Sequence, residues 1–457
     1  MRIGLLLLLS IFSVPVGVQG SCCGLPLCPD SKWVGRPNVK PFQPTDCTKD
    51  DQGPLNAVDL LDIALTNNPL TEKTWRDARA ACWNVGIAKS AYYPTVTGSQ
   101  ILDAQAIYGQ AGAALARGRT QSLLSEITIT YLLLDWGGRD ATVATASHAL
   151  RSANWTHNRN LQDVMITTLR AYYDYVYANG LVKARESDVE DAEKSFMAAD
   201  QQYQVGVSSR VDSLQARSNL ASAHINLAVA QGRERGTHGQ MAAALGWPID
   251  ACFEVSMYPE NLPMDRIEEQ VHCLLDAARD LRPDLDAAYS DYLAARAKIQ
   301  TEVSAAMPTL TLAGFAQRTT FFDDVQFSGS TQEGQLQLNM PIFAGGLYVS
   351  RINKSREVAS SIKAAWRVKE INAQLEVWQA YYTYTTAVET LRYTADFLKF
   401  AQEAYDAAME GYQVGANSIL DVLTAQTNLS IARAQYLQAR TTLMVSIANI
   451  AYAVGTL

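Results

Sequence analysis

Tyr203-Gln204-Val205-Gly206-Val207-Ser208-Ser209-Arg210-Val211-Asp212 returns, 209 residues later, as Tyr412-Gln413-Val414-Gly415-Ala416-Asn417-Ser418-Ile419-Leu420-Asp421. The likeness continues through Leu214, Ala216, Asn219 and Leu220, which reappear as Leu423, Ala425, Asn428 and Leu429. Other landmarks also come in pairs: Asn68-Pro69 with Arg282-Pro283, Pro94-Thr95 with Pro308-Thr309, and Gly137-Gly138 with Gly345-Gly346. A repeat of this size is one structural unit used twice. Glycine after a helix is the usual left-handed stop. Serine followed three residues later by Asp is an acidic form of the capping box that starts the next helix. Gly206 and Gly415 are therefore read as hairpin turns between two helices, the second running 209–245 in one copy and 418–454 in the other.

Working outward, proline shows where long helices cannot be. No proline occurs in 95–247 or after Pro341. The runs 139–204 and 347–411 are rich in Ala, Glu, Lys, Arg, Gln and Leu, good helix formers. Apolar residues there recur three and four apart, as in Val368-Lys369-Glu370-Ile371 and Leu375-Glu376-Val377-Trp378. Sixty-odd residues of helix span roughly 100 Å, too long for a compact globule, so each must lie along other helices as in a coiled coil. Frequent Ala at contact positions implies close helix approach.

The stretches 94–136 and 308–343 differ. Ser125-Glu126-Ile127-Thr128-Ile129-Thr130-Tyr131 and Gln335-Leu336-Gln337-Leu338-Asn339-Met340 alternate in polarity with period two, which predicts strands. Each repeat is expected to carry a two-stranded hairpin, with loops around 105–121 and 321–331 and strands of the ~9–11 residues a membrane strand needs. Four strands leave two open edges, which cannot exist in lipid. Closure must come from further copies, and three copies give twelve strands.

The chain opens as an export signal: Arg2, then an apolar run from Ile3 to Val18 and small residues before Ser21. The expected organisation is a signal peptide over 1–20, a Pro- and Cys-rich extension over 21–54, a first repeat over 55–247, a connection over 248–264 and a second repeat over 265–457. Seven cysteines, at 22, 23, 28, 47, 82, 252 and 273, are an odd count for an oxidising compartment. A lipid on Cys22 would leave an even set, although Gln19-Gly20-Ser21 lacks the leucine usual before a lipoprotein cysteine. Cys252 and Cys273 flank the connection and are expected to pair. A formal charge of −8 with no basic cluster gives no reason to invoke nucleic acid. The five histidines lack zinc spacing, and no Gly-x-Ser-x-Gly elbow or Rossmann glycine pattern occurs. Neither an enzyme nor a cofactor is expected. The tyrosines at 172, 173, 175 and 177 are read as inter-helix packing, and Trp136, Phe343, Tyr92 and Tyr93 as either packing or an interfacial belt.

Asn-Pro or Arg-Pro before a helix, Pro before a strand, an apolar-Gly-Gly strand exit and a Val-Gly tip recur in order in both halves. In that ordered set the chain resembles the TolC-like outer-membrane efflux protein family over roughly 55–457. The resemblance implies a mostly α protein with a β-barrel part, a homotrimer whose twelve-stranded barrel in the outer membrane joins a long periplasmic α-helical barrel. It also implies a periplasmic adaptor and an inner-membrane pump or ABC exporter as partners. Outer-membrane lipid surrounds the barrel, and the duct is passive. By motif position it makes Asp421 a ring carboxylate at the periplasmic entrance, Tyr412 the tip tyrosine bonding a neighbouring hairpin, and Asp212 its latch on the other hairpin. Asn417 replaces the family's gate arginine and Thr424 a second ring aspartate, while Arg210 is placed to supply a cation. Asp212 and Asp421 also have a purely structural reading as helix caps. Efflux of small toxic compounds leads; a type I secretion duct and a periplasm-spanning coiled-coil lipoprotein are the alternatives.

Overall fold

The computed structural model describes residues 54–111, 114–256, 271–322 and 328–457. The signal segment, nearly all of the extension with Cys22, and the later part of the 248–264 connection lie outside them.

Each half runs short helix, helix, strand pair, very long helix, return helix. The first holds α1 (Ala57–Asn67), α2 (Pro69–Ser90), β1 (Thr95–Ala111), β2 (Ala114–Leu134), α3 (Gly138–Gln204) and α4 (Arg210–Leu245). The second holds α5 (Val271–Leu281), α6 (Pro283–Ser304), β3 (Thr309–Phe321), β4 (Ser328–Asn339), α7 (Leu347–Gln413) and α8 (Ile419–Val454). Asn56 and Asn68 cap α1 and α2 through their side chains, and Pro69 and Pro283 occupy first turns, where a missing N–H costs nothing. α3 and α7 are each 67 residues long, α4 and α8 each 36, so both hairpins keep the 209-residue offset throughout.

That offset corrects one pairing made from the sequence. The left-handed residues opening the long helices are Trp136 and Gly137 in one half and Gly345 and Gly346 in the other. Trp136-Gly137, rather than Gly137-Gly138, is therefore the counterpart of Gly345-Gly346. Trp136 holds φ 53°, a conformation costly for a bulky residue, and its indole N–H donates to the Pro308 carbonyl at 2.7 Å.

The strands form one antiparallel sheet in the order β1-β2-β3-β4. They are longer than expected, 17 and 21 residues in the first half and 13 and 12 in the second. The glycine-containing region read as a loop over 105–121 is ladder, with Gln105 opposite Thr120 and Tyr108 opposite Arg117. Beyond the edge of β3 at Phe321, β1 and β2 pair only with each other. A ladder satisfies its own backbone there without alternating apolar residues, which hid it from a periodicity reading. β4 ends at Asn339 rather than 343, because Pro341 cannot donate to a ladder.

Register gives the sheet two unlike faces. One carries Val96, Leu102, Leu123, Ile127, Ile129, Tyr131, Leu312, Leu336 and Leu338; the other is largely polar, with Thr97, Ser99, Glu126, Thr128, Gln317, Glu333, Gln335 and Gln337. Among the described residues no helix is long and apolar enough to cross a membrane.

The helical body packs through small residues, Ala178, Ala192, Ala199, Ala216 and Ala432 being almost wholly buried. The largest core lies where α1, α3, α4 and the start of the connection meet: Leu60, Val176, Met241, Leu245 and Trp247. Tyr172 and Tyr173 belong to it, and Tyr172 donates to the Ser256 carbonyl at 3.0 Å, so the tyrosine run serves packing. The expected Cys252–Cys273 bridge does not form. Cys252 is disulfide-bonded, as is Cys82, whereas Cys273 is a free, exposed thiol. Flanking the same connection did not bring the two sulfurs together, since Cys273 sits on a helix that packs against α7 and α8.

Candidate functional site at the hairpin tips

Both tips are built by the same bonds. Gly206 (φ 76°) and Gly415 (φ 79°) turn the chain, and the Gln202 and Gly411 carbonyls each accept two N–H groups from the turn. The return helices start in full capping boxes. Ser209 N–H donates to Asp212 at 3.1 Å, and Ser418 N–H to Asp421 at 2.9 Å; each Asp N–H donates back to the serine hydroxyl at 3.3 Å. The Ser418 hydroxyl also donates to Asp421 at 2.7 Å. That bond above all, with the Ser418 N–H bond, holds the Asp421 carboxyl below its ordinary range. Both aspartates thus cap helices, and Asp421 remains exposed and charged.

Asn417 turns inward on its own hairpin, its amide donating to the Ala408 carbonyl at 3.4 Å, just as Ser208 donates to Ala199 at 3.4 Å in the first copy. Gly411 makes this fit, since a Cβ there would meet the Asn417 amide at 2.3 Å. In the first copy the equivalent residue is Gln202, whose side chain crosses to the other hairpin and donates to the Tyr412 carbonyl at 3.0 Å. Tyr412 is 4% exposed, packed with Ala199, Ala216, Ile419 and Val422. Its hydroxyl is buried without a hydrogen bond of normal geometry. Burial first, then the charge of Asp212, pushes the phenol pKa up, with Ser208 opposing. So Tyr412, Asp212 and Ser208 do come together, while Arg210 is exposed and makes no ion pair among the described residues.

About 24 Å along α3 from the tip, at 1.5 Å per residue, lies a polar lock that sequence reading missed. Arg433 of α8 donates to Asp188 and Asp191 of α3, both at 2.9 Å, and to Gln402 of α7 at 3.3 Å. Arg185 and Ser430 also bond Asp188, at 2.8 and 2.7 Å. Gln426 accepts from Asn219 of α4 at 2.9 Å. All four long helices are tied here, at side chains mostly shielded from water. The signal was present: Arg185, Asp188 and Asp191, three apart, put charges of both signs on one buried helix face.

Two apolar helix faces are exposed among the described residues. On α7, Ile371, Leu375, Trp378 and Tyr382, then Tyr393, Phe397 and Phe400, are exposed at steps of three and four, the two groups eleven residues apart; on α4, Val211 and Leu214, then Ile225 and Val229, are exposed in the same way. Each is an apolar seam of coiled-coil type. Among the described residues no group of His, Cys, Asp and Glu is placed to hold a metal ion.

Long paired helical hairpins joined to a small two-faced antiparallel sheet define the class, a mostly helical fold. The outer membrane efflux protein family model matches residues 60–246 and 274–456, and the chain belongs to that family. It is an outer-membrane efflux channel protein. It is 26% identical over 417 residues to Protein CyaE of Bordetella pertussis, covering 90% of this chain and 86% of that protein. It is 24% identical over 442 residues to the probable efflux pump outer membrane protein TtgC of Pseudomonas putida, covering 93% and 89%. The crystal structure of the Campylobacter jejuni CmeC outer membrane channel shares the fold, with a TM-score of 0.77 at 18% identity over 88% of this chain and 85% of that one.

Proposed function

We propose that three copies close into a passive duct for small toxic compounds, a twelve-stranded barrel in the outer membrane continued by an α-helical barrel through the periplasm. The observation that carries this reading is the pair of exposed seams on α4 and α7. They are different surfaces, so association through them is head-to-tail, and head-to-tail contacts generate rings when the rotation closes. At equal distances from the tips, Ile225 and Val229 of one copy stand level with Phe397 and Tyr393 of the next. The same rotation joins β4 of one copy to β1 of the next and leaves no open sheet edge. It turns the apolar face to lipid and the polar face to the lumen. A periplasm-spanning spacer would have no use for such a sheet.

In this reading the tips are the periplasmic entrance, where a periplasmic adaptor would dock and an inner-membrane pump would supply energy. Asp421, already a cap, contributes three carboxylates near the axis and favours cations. The exposed Trp136, Tyr93 and Phe343 at the sheet–helix junction form the periplasmic aromatic belt. The test is planar-bilayer recording of the purified protein. Stepwise cation-selective conductance is expected, with divalent-cation block weakened in Asp421→Ala. A monomer in detergent that gives no channel overturns the assembly, and block unchanged in Asp421→Ala overturns the ring.

A further inference from the structure

We propose that the apolar face of the sheet carries a binding site for the phosphate of an outer-leaflet glycolipid, built on Arg318. This rests on the barrel reading above and adds a ligand to the outer wall of that barrel.

On the apolar face, ladder rows run across the four strands. Tyr131-Leu312-Leu336 and Val96-Ile129-Gly314-Gly334 are without polar side chains apart from the tyrosine hydroxyl. Further from the helices the row changes character: Gln100, Ser125, Arg318 and Ser330 stand side by side. Between this row and Gly98-Ile127-Ala316-Gln332 lies an open groove of about 800 Å³, shallow-walled because Gly98 and Ala316 carry so little, with Ser99, Glu126 and Gln317 of the intervening row also bordering it. Arg318 is exposed and makes no ion pair among the described residues. The sheet carboxylates Asp103, Glu126 and Glu333 occupy alternate ladder positions and so belong to the other face.

Depth places the row. Arg318 lies eight residues beyond Leu310, about 27 Å along the strand, or about 20 Å of bilayer depth at the usual barrel tilt. With the aromatic junction below it, Arg318 sits at the outer rim of an apolar band ~25 Å tall. A lipid-facing arginine is costly at the bilayer midplane and nearly neutral at the interface. Here it is an unpaired planar fork beside hydroxyl and amide groups, the arrangement that suits a phosphate. The Arg318 guanidinium thus stands on the side where outer-leaflet headgroups begin, and the fixed anion of a glycolipid phosphate complements it.

The test uses the purified full-length protein in detergent, incubated with lipopolysaccharide or with phosphatidylglycerol. Retained lipid is read by native mass spectrometry and channel conductance from the same preparation. Arg318→Ala is expected to weaken lipopolysaccharide retention about tenfold or more, the usual cost of one charge-assisted contact. Arg318→Lys should fall between, keeping charge without the fork, and Gln335→Ala on the opposite face should match wild type. If Arg318→Ala assembles poorly, the lysine variant and Ser330→Ala carry the comparison. Undiminished retention in the Arg318 variants overturns the site, and equal retention of phosphatidylglycerol overturns the glycolipid. Absent conductance in wild type overturns the barrel reading instead.

Discussion

Arg433 of the last helix bonds Asp188 of the first long helix at 2.9 Å, across a sequence separation of 245 residues. Each hairpin is complete in itself, so every tie between the two repeats at this level spans more than 200 residues, the Asn219–Gln426 bond included. The pair is only partly exposed, and Asp191 shares the same guanidinium nitrogen.

Removing one member of such a shielded pair leaves the other uncompensated. Arg433→Met is expected to destabilise the local inter-hairpin packing by about 3 kcal/mol, the low end for a buried pair because some solvent reaches it. Hydrogen exchange should speed up in the tip halves of α3 and α8 while leaving the α1–α4 core protected. The single-channel current should become larger or noisier.

Acid stability turns on Arg282, which is 2% exposed and bonds Asp284 at 2.8 Å and Glu376 at 2.7 Å. Burial pushes the Asp284 carboxyl up, but the Arg282 bond and charge outweigh it and leave its pKa below the ordinary value. A depressed folded pKa stabilises above the unfolded value, about 3.9, and that stability is lost as pH falls through the folded one. Asp284→Asn should lower Tm near neutrality, by about 1–3 kcal/mol of stability, and flatten the melting-temperature curve below pH ~4.

The alkaline limb has its own group. Burial first, and a hydrogen bond to Asp163 second, push the Tyr452 phenol up to about 12. A raised folded pKa means the contribution is complete below the unfolded value of about 10 and disappears as pH climbs towards 12. Tyr452→Phe is expected to flatten the loss of Tm across that window.

Left-handed glycines should separate into two grades. Gly206→Ala meets nothing within 4 Å, so only its φ of 76° is at stake, about 1–2 kcal/mol. Gly246→Ala and Gly455→Ala add a Cβ 2.8 Å from the Asn67 and Leu281 carbonyls. Both should cost clearly more in chemical denaturation, and similar losses in all three would contradict the close approach.

The thiols give a covalent check. Cys273 should alkylate in the native protein without reductant, and Cys82 and Cys252 only after reduction and unfolding, as read by peptide mass mapping.

Much of this was legible in the sequence because it is punctuated locally. Val205-Gly206 and Ser209 to Asp212 set the tip through bonds spanning a few residues, and proline marked the helix limits. The length of β1 and β2 was hidden, since a backbone ladder needs no alternation of apolar residues to pair Tyr108 with Arg117. The lock at Asp188 and Arg433 was hidden for another reason: it depends on rotational phase, which residues of two 67- and 36-residue elements face each other, and small errors in phase accumulate along a helix. Cys252 was misassigned because closeness to a connection says nothing about where a sulfur points.

The matched lengths of α3 with α7 and α4 with α8 carry an evolutionary constraint. A single residue deleted from one would rotate everything beyond it by about 100° and stagger its turn against its twin. Such a molecule can be made longer or shorter only by whole heptads, inserted at the same level in all four rods at once. Its two halves, once copied, are bound to change their reach together.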